Sequence, residues 1–180
     1  MSPPDASYPP DASRPPNASR LTPHGRLDGW ERRLNEVIEG ARDKPYELGK
    51  HDCFRVVCAV IEALTGVDRW PEFSGYRTKR EALRQIARYA RRAPDSPHAS
   101  RLTPHEFESA GDWFFGGPRV DLKLARRGDI VAVQTADGEK HLGVHLGDRV
   151  ALMAPAGLLF LPLAGPFKTD SRLLCAWRVG

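Results

Sequence analysis

A thiol that follows a good helix-capping residue is the first place in this chain where chemistry could happen. Residues 44–52 form a polar loop with a glycine at 49, and at Asp52 and Cys53 the loop turns into an apolar run. Asp52 suits an N-cap, and Cys53 would then open the helix, where backbone N–H groups lack partners and the helix dipole is positive. Both effects favour the thiolate, which is the nucleophilic form of cysteine. A cysteine at such a point is often only a small buried residue, as Cys58 in the same run reads, so Cys53 needs a partner. A thiol attacking an amide needs a base that takes its proton and returns it to the leaving amine, and histidine suits this near neutral pH.

Six histidines are available. His24, His98 and His105 sit in proline-rich lead-ins. His51 is two residues from Cys53 and falls on the loop side. His141 and His145 belong to one predicted strand, about 13 Å apart, so a single thiol can meet only one of them. His141 opens that strand, and Gly143 on the same face leaves room for a facing helix. His141 is therefore the expected base.

The elements that must position this pair read as helices first and strands later. Asp28 to Arg42 predicts a helix, with Asp28 as cap, Glu31 completing a capping box and a stripe of Trp30, Leu34, Val37, Ile38 and Ala41. Val56, Val57, Val60, Ile61 and Leu64 make the Cys53 helix central and buried, and Gly66 stops it. Residues 67–77 read as a loop. Thr78 to Ala93 reads as a basic amphipathic helix, with Leu83, Ile86, Ala87 and Ala90 facing inward and its arginines forming a solvated face. Thr103 to His105 begins a short helix that fades at Gly116 to Pro118. After Ala125 the period changes to two, and strands are predicted at 130–133, 141–146, 150–153, 157–161 and 175–179, with a hairpin at Asp137 and Gly138. The layout is α+β, the Cys53 helix packing on one face of a small antiparallel sheet.

The chain has 180 residues, a net charge of +4 and 41% hydrophobic residues, enough for one domain with a tail. Three widely spaced cysteines exclude a disulfide framework. The first residues carry no apolar core of a secretory signal, and no stretch reaches the length of a membrane span. Residues 1–26 hold a six-residue repeat (Pro3 to Ser7, Pro9 to Ser13, Pro15 to Ser19) that favours an extended arm able to order against a partner. The segment from Ala18 to His24 recurs from Ala99 to His105.

Two blocks resemble the NlpC/P60 cysteine peptidases, papain-like enzymes of bacterial cell-wall turnover. Lys44 to Gly49 followed by Asp52 and Cys53 is similar to that family's Pro-Tyr-x-x-Gly and Asp-Cys block. Arg127 to Val131 with His141 to Asp148 is similar to its Gly-Asp strand and histidine strand. The resemblance implies a papain-like NlpC/P60 fold over residues 27–180, with a helical insertion at about 70–120. It implies Cys53 as nucleophile, His141 as base, and Tyr46 and Asp52 at the substrate pocket. Further marks resemble a branch encoded among phage tail-assembly genes and in gene-transfer agents: Trp30 to Leu34, Gly49 to Cys53, Leu64 to Asp68, Gly128 and Asp129, Gly157 and Leu158, and Ala176 to Arg178. That branch implies a virion location at the phage tail tip, with the protein made in the host cytoplasm without a signal peptide.

The expected function is hydrolysis of peptidoglycan peptide amide bonds, with no cofactor and no metal. Expected partners are the peptidoglycan peptide and other phage tail proteins, met through the N-terminal arm. Two departures support a second reading, a catalytically degenerate structural protein of the tail. Phe54 stands where the family has Ser, and Met153 falls where the family carries a polar residue that orients the imidazole, which leaves Gln134 or a backbone carbonyl for that task. A zinc site from His51, Cys53 and Cys58 has the wrong spacing. The arginine-rich helix carries no recognised reading motif, so nucleic acid is not an expected partner.

Overall fold

The computed structural model describes residues 25–91, 106–115, 119–163 and 171–180. The proline-rich repeat, the recurrent segment, the expected helix start at Thr103 to His105 and its stop at Gly116 to Pro118 lie outside the described residues. So do His24, His98 and His105.

The chain is α+β. Among the described residues five α-helices, α1 (Trp30–Arg42), α2 (Cys53–Thr65), α3 (Trp70–Phe73), α4 (Lys79–Ala90) and α5 (Glu106–Phe115), precede the sheet. The strands are β1 (Arg119–Val120), β2 (Ile130–Gln134), β3 (Lys140–His145), β4 (Arg149–Ala154), β5 (Gly157–Pro162) and β6 (Arg172–Trp177). They form one antiparallel sheet in the order β1-β6-β2-β3-β4-β5. Consecutive β2 to β5 make the predicted meander, and β6 returns along β2.

The two faces of the sheet are closed differently. Ile130, Ala132, Leu142, Val144, Ala151 and Trp177 pack against Leu34 and Ile38 of α1 and Val57, Val60, Ile61 and Leu64 of α2. Each of the five buried aliphatic side chains of α2 contributes roughly 1.5–3 kcal/mol. The opposite face, Val131, Val133, Val150 and Ala176, is covered by Val120, Leu122, Ala125, Leu161, Leu163 and Leu173, from other strands and from loops. Gly143 belongs to this second face. A methyl there would sit 2.5 Å from a Val150 methyl and 3.4 Å from one of Val131. Its lack of a side chain therefore admits those valines. The facing helix is met by Leu142 and Val144, which corrects the role expected for Gly143.

Local expectations fail in instructive places. No side chain caps α1, whose N-cap is Gly29 at φ 67, so the Asp28–Glu31 box does not form. The box forms instead at Thr78 and Glu81, which open α4. Inside α4, Leu83 remains 39% exposed, while Tyr89 and Ala90 are buried. The expected loop over 67–77 contains the single turn α3. It carries Phe73 into an aromatic cluster with Tyr76, Tyr89 and Phe114. Phe54 stacks on Phe73 with centroids 3.5 Å apart and 8° between planes. It also meets Phe114 edge-on at 5.0 Å. The residue after Cys53 is thus an anchor for the α3–α5 helices. Gly111 lets α5 approach β6, since a methyl there would lie 2.3 Å from the Trp177 ring.

Candidate active site

The turn before α2 is held by one buried carboxylate. Asp52 is 1% exposed and accepts from the Gly49 N–H at 2.7 Å, the Arg55 N–H at 3.0 Å and the Tyr76 hydroxyl at 2.6 Å. The loop beneath it closes through Glu47 and His51, whose backbones bond in both directions at 2.9 and 2.6 Å. Gly49 has φ +76, and a methyl there would fall 1.9 Å from the Tyr76 carbonyl oxygen. The Gly-x-x-Asp-Cys spacing is therefore a requirement of the turn. Asp52 was expected at the substrate pocket; it lies inside the protein and fixes the turn that presents Cys53.

Cys53 is half-buried at the first position of α2. The backbone N–H groups of Leu142, Phe54 and Cys53 act on its sulfur and favour the thiolate. Burial opposes them more strongly, and the Asp52 carboxylate adds to burial, so the thiol is pushed up to about 11. The sequence-based expectation of a lowered thiol pKa is reversed. A helix N-terminus favours thiolate only where desolvation and a neighbouring anion do not outweigh it. Cys58 and Cys175 are also pushed up by burial, each to about 12.

The Leu142 amide that faces the sulfur belongs to the residue after His141. The β3–β4 ladder ends at Gly143 opposite Leu152, so this amide stands beyond the last β4 pairing. His141 lies opposite Val133 in the β2–β3 register, on the face of Gly143 and His145. The imidazole is half-buried, and burial lowers its pKa; the Glu139 and Asp137 carboxylates pull it up, and Lys79 pushes it down. Lys79 itself pairs with Glu139 across from α4 to the β2–β3 hairpin. Sequence alone does not bring Lys79 or Glu139 into this neighbourhood. A basic residue on a helix face and an acid beside a hairpin look like ordinary solvated positions.

His145 is 8% exposed, and its Nδ1 accepts from the Gly147 N–H at 3.1 Å. Burial holds its pKa down. Tyr46 is half-buried and packs with Cys53 against Ala41, Val56 and Met153. Burial, then the Cys53 and Asp52 charges, push its hydroxyl up to about 12. Met153 is a buried packing residue beside the thiol. Gln134, the expected substitute for an orienting group, is engaged elsewhere. Its amide donates to the Gly138 carbonyl at 3.1 Å and its oxygen accepts from Arg172 at 2.8 Å. Tyr76, the third donor to Asp52, gave no sign in the sequence beyond being an aromatic residue in a loop.

Among the described residues no group of three or more His, Cys, Asp and Glu could hold a metal ion. No described helix is long and apolar enough to cross a membrane.

The family profile described as "Domain of unknown function (DUF6950)" matches residues 25–179. A search of the curated proteins found no match.

Proposed function

The chain belongs to this family of unknown function, and we propose from its own residues that it is a cysteine peptidase or amidase. Its substrates in this reading are the peptide amide bonds of peptidoglycan, and it has an NlpC/P60-like, papain-like fold. The observation that carries the reading is the position of the Cys53 sulfur. It sits at the mouth of α2 against the Leu142 amide, one residue along β3 from His141. Adjacent residues on a strand have Cα atoms about 3.8 Å apart but point to opposite faces; His141 lies on the Gly143 face, so proton transfer in this reading requires the imidazole to swing round the start of β3 toward the sulfur.

In this mechanism the resting pair is neutral. With the thiol up at about 11 and the imidazole held below its ordinary value, the proton stays on sulfur at pH 7. The thiolate is therefore a minor form at that pH. Attack on the substrate carbonyl therefore couples to proton transfer from Sγ to His141, and the imidazolium then returns the proton to the leaving amine. Water hydrolyses the acyl-enzyme, with His141 as base in the second half. The Cys53 N–H at the helix start is the donor for the developing oxyanion.

The second reading is a structural protein of the tail that keeps the fold without the activity. The raised thiol pKa favours it, as do Met153 as a packing residue and the prior engagement of Gln134. Location in a virion tail belongs to both readings and rests on the resemblance of the motifs at Trp30 to Leu34, Leu64 to Asp68 and Ala176 to Arg178.

One experiment separates the two. Purified chain is incubated with peptidoglycan fragments, and new amino groups and product masses are followed for the parent, Cys53→Ala and His141→Ala. Loss of cleavage in both variants, with unchanged particle assembly, is the result expected of a peptidase. No cleavage by the parent, silent substitutions and failed assembly on deletion would establish the structural reading.

A further inference from the structure

Next to the thiol, but not including it, lies a second cleft of about 290 Å³ between the C-terminal half of α1, the loop before α2 and the first turns of α2. Its charged lining is one-sided. Lys44, Lys50 and Arg55 contribute three permanent cations and His51 a fourth basic group, against Glu36 as the one lining carboxylate. Glu36 is already paired with Arg32 at 2.6 Å. Lys50 pairs with Glu47, an exposed contact of the kind worth little in water, and Glu47 does not line the cleft.

Two of these cations act on one ring. Lys44 and Arg55 both push the His51 imidazole toward its neutral form, after burial, while the buried Asp52 acts in the opposite sense. Two buried nitrogens in the lining, Nδ1 of His51 and Nη1 of Arg55, have no hydrogen-bond partner. Arg55 is further held in place by stacking over the Trp70 ring at 5.3 Å. A fold that gathers like charges around a cavity and leaves a buried guanidinium N–H of Arg55 unsatisfied bears an electrostatic cost that a bound anion relieves. The rest of the lining, Val37, Gly40, Ala41, Val56 and Ala59, is uncharged.

We infer that this cleft binds a compact oxyanion carrying two or more negative charges, a phosphate or clustered carboxylate group, held by Lys44, Lys50 and Arg55. The inference does not depend on the peptidase reading. Cys53 is not among the lining residues, although Ala41 and Val56 belong both to the cleft and to the packing around the thiol.

The test uses the full chain carrying Cys53→Ala, so that hydrolysis plays no part, in isothermal titration with two probes, inorganic pyrophosphate and citrate. Saturable one-to-one binding is expected, weakened by about tenfold or more in Lys44→Ala with Lys50→Ala and weakened again by added salt. Both lysines are exposed, so the double variant folds; its unfolding midpoint is measured alongside. Pyrophosphate binding alone identifies a phosphate site, and citrate binding alone a carboxylate site. Heat from neither probe, or binding that survives in the double variant, overturns the inference.

Discussion

Replacing Asp52 with Ala removes three hydrogen bonds from the turn that presents Cys53, and the size of the loss follows from what each donor has left. The helix cap to the Arg55 N–H contributes about 1 kcal/mol. The Tyr76 hydroxyl, on a residue 3% exposed, and the Gly49 N–H are left without an acceptor, at about 1–3 kcal/mol each. The expected total is roughly 3–7 kcal/mol, a large share of the stability of a domain this size. Tyr76→Phe alone removes one hydrogen bond to a carboxylate and should cost roughly 1.5–3 kcal/mol. The decisive measurement is the double variant in urea unfolding. With Asp52 gone, the Tyr76 hydroxyl is only a burden, so Asp52→Ala with Tyr76→Phe should be no less stable than Asp52→Ala. If the two costs simply add, or if Asp52→Ala costs under about 1 kcal/mol, the account of this turn is wrong.

At Gly49, Ala must adopt a left-handed backbone and place its methyl against the Tyr76 carbonyl, whereas Gly138, also at positive φ, has nothing within 4 Å. Gly138→Ala should cost about 1–2 kcal/mol and Gly49→Ala at least about 3 in the same urea assay. Asp129→Ala removes the buried charge that Arg26 meets at 2.9 Å, and a loss of about 3–5 kcal/mol is expected by thermal or urea unfolding. Acidification should also destabilise the fold. His51, His141 and His145 all have folded pKa values below the ordinary 6.5, chiefly through burial. Above pH 6.5 both states carry these rings neutral; below it the unfolded state binds protons first, so stability falls with pH. The urea midpoint should drop between pH 7.5 and 5.5, and His145→Gln should flatten part of that slope. A midpoint that rises over that window would contradict the burial of these rings.

The sheet and the central helix were legible because they follow from periodicity and caps that act locally. Val56, Val57, Val60, Ile61 and Leu64 predict α2, and Asp52 and Gly66 end it as read. The alternation from His141 to Leu146 separates the two faces of β3, but the expected helix side, that of His141 and Gly143, is the wrong one: Leu142 and Val144 meet the helix. What sequence could not give was which favourable local signal wins. Asp28 and Glu31 have the spacing of a capping box, yet Gly29 takes the cap in a left-handed conformation. Leu27 meanwhile donates its N–H to the Leu64 carbonyl at 2.7 Å, a contact no local pattern announces. The thiol pKa departs from its sequence-based expectation for the same reason: the helix start is visible in sequence, but the burial that outweighs it comes from packing against β3 and β4.

Most residues that carried the family resemblance have a mechanical explanation. Gly128 sits at φ +90 with no room for a methyl beside Leu64, and Asp129 is buried against Arg26. Gly157, at φ +101, begins β5 directly after the turn from β4. Ala176 and Trp177 are fully buried. Motifs of this kind report a fold; chemistry must be argued from Cys53 and His141 alone.

The clasp at Arg26 has a consequence for anything attached to the domain. Its guanidinium donates to the Val179 carbonyl at 2.7 Å, and a methyl on Gly25 would lie 3.0 Å from the carbonyl carbon of Gly180. Residues 25 and 180 therefore lie side by side. Tension applied between those two points loads the Arg26 contacts before it shears a strand. The domain should behave under tether as a buckle that opens at its fastening, with the sheet and the thiol spared until the buckle gives.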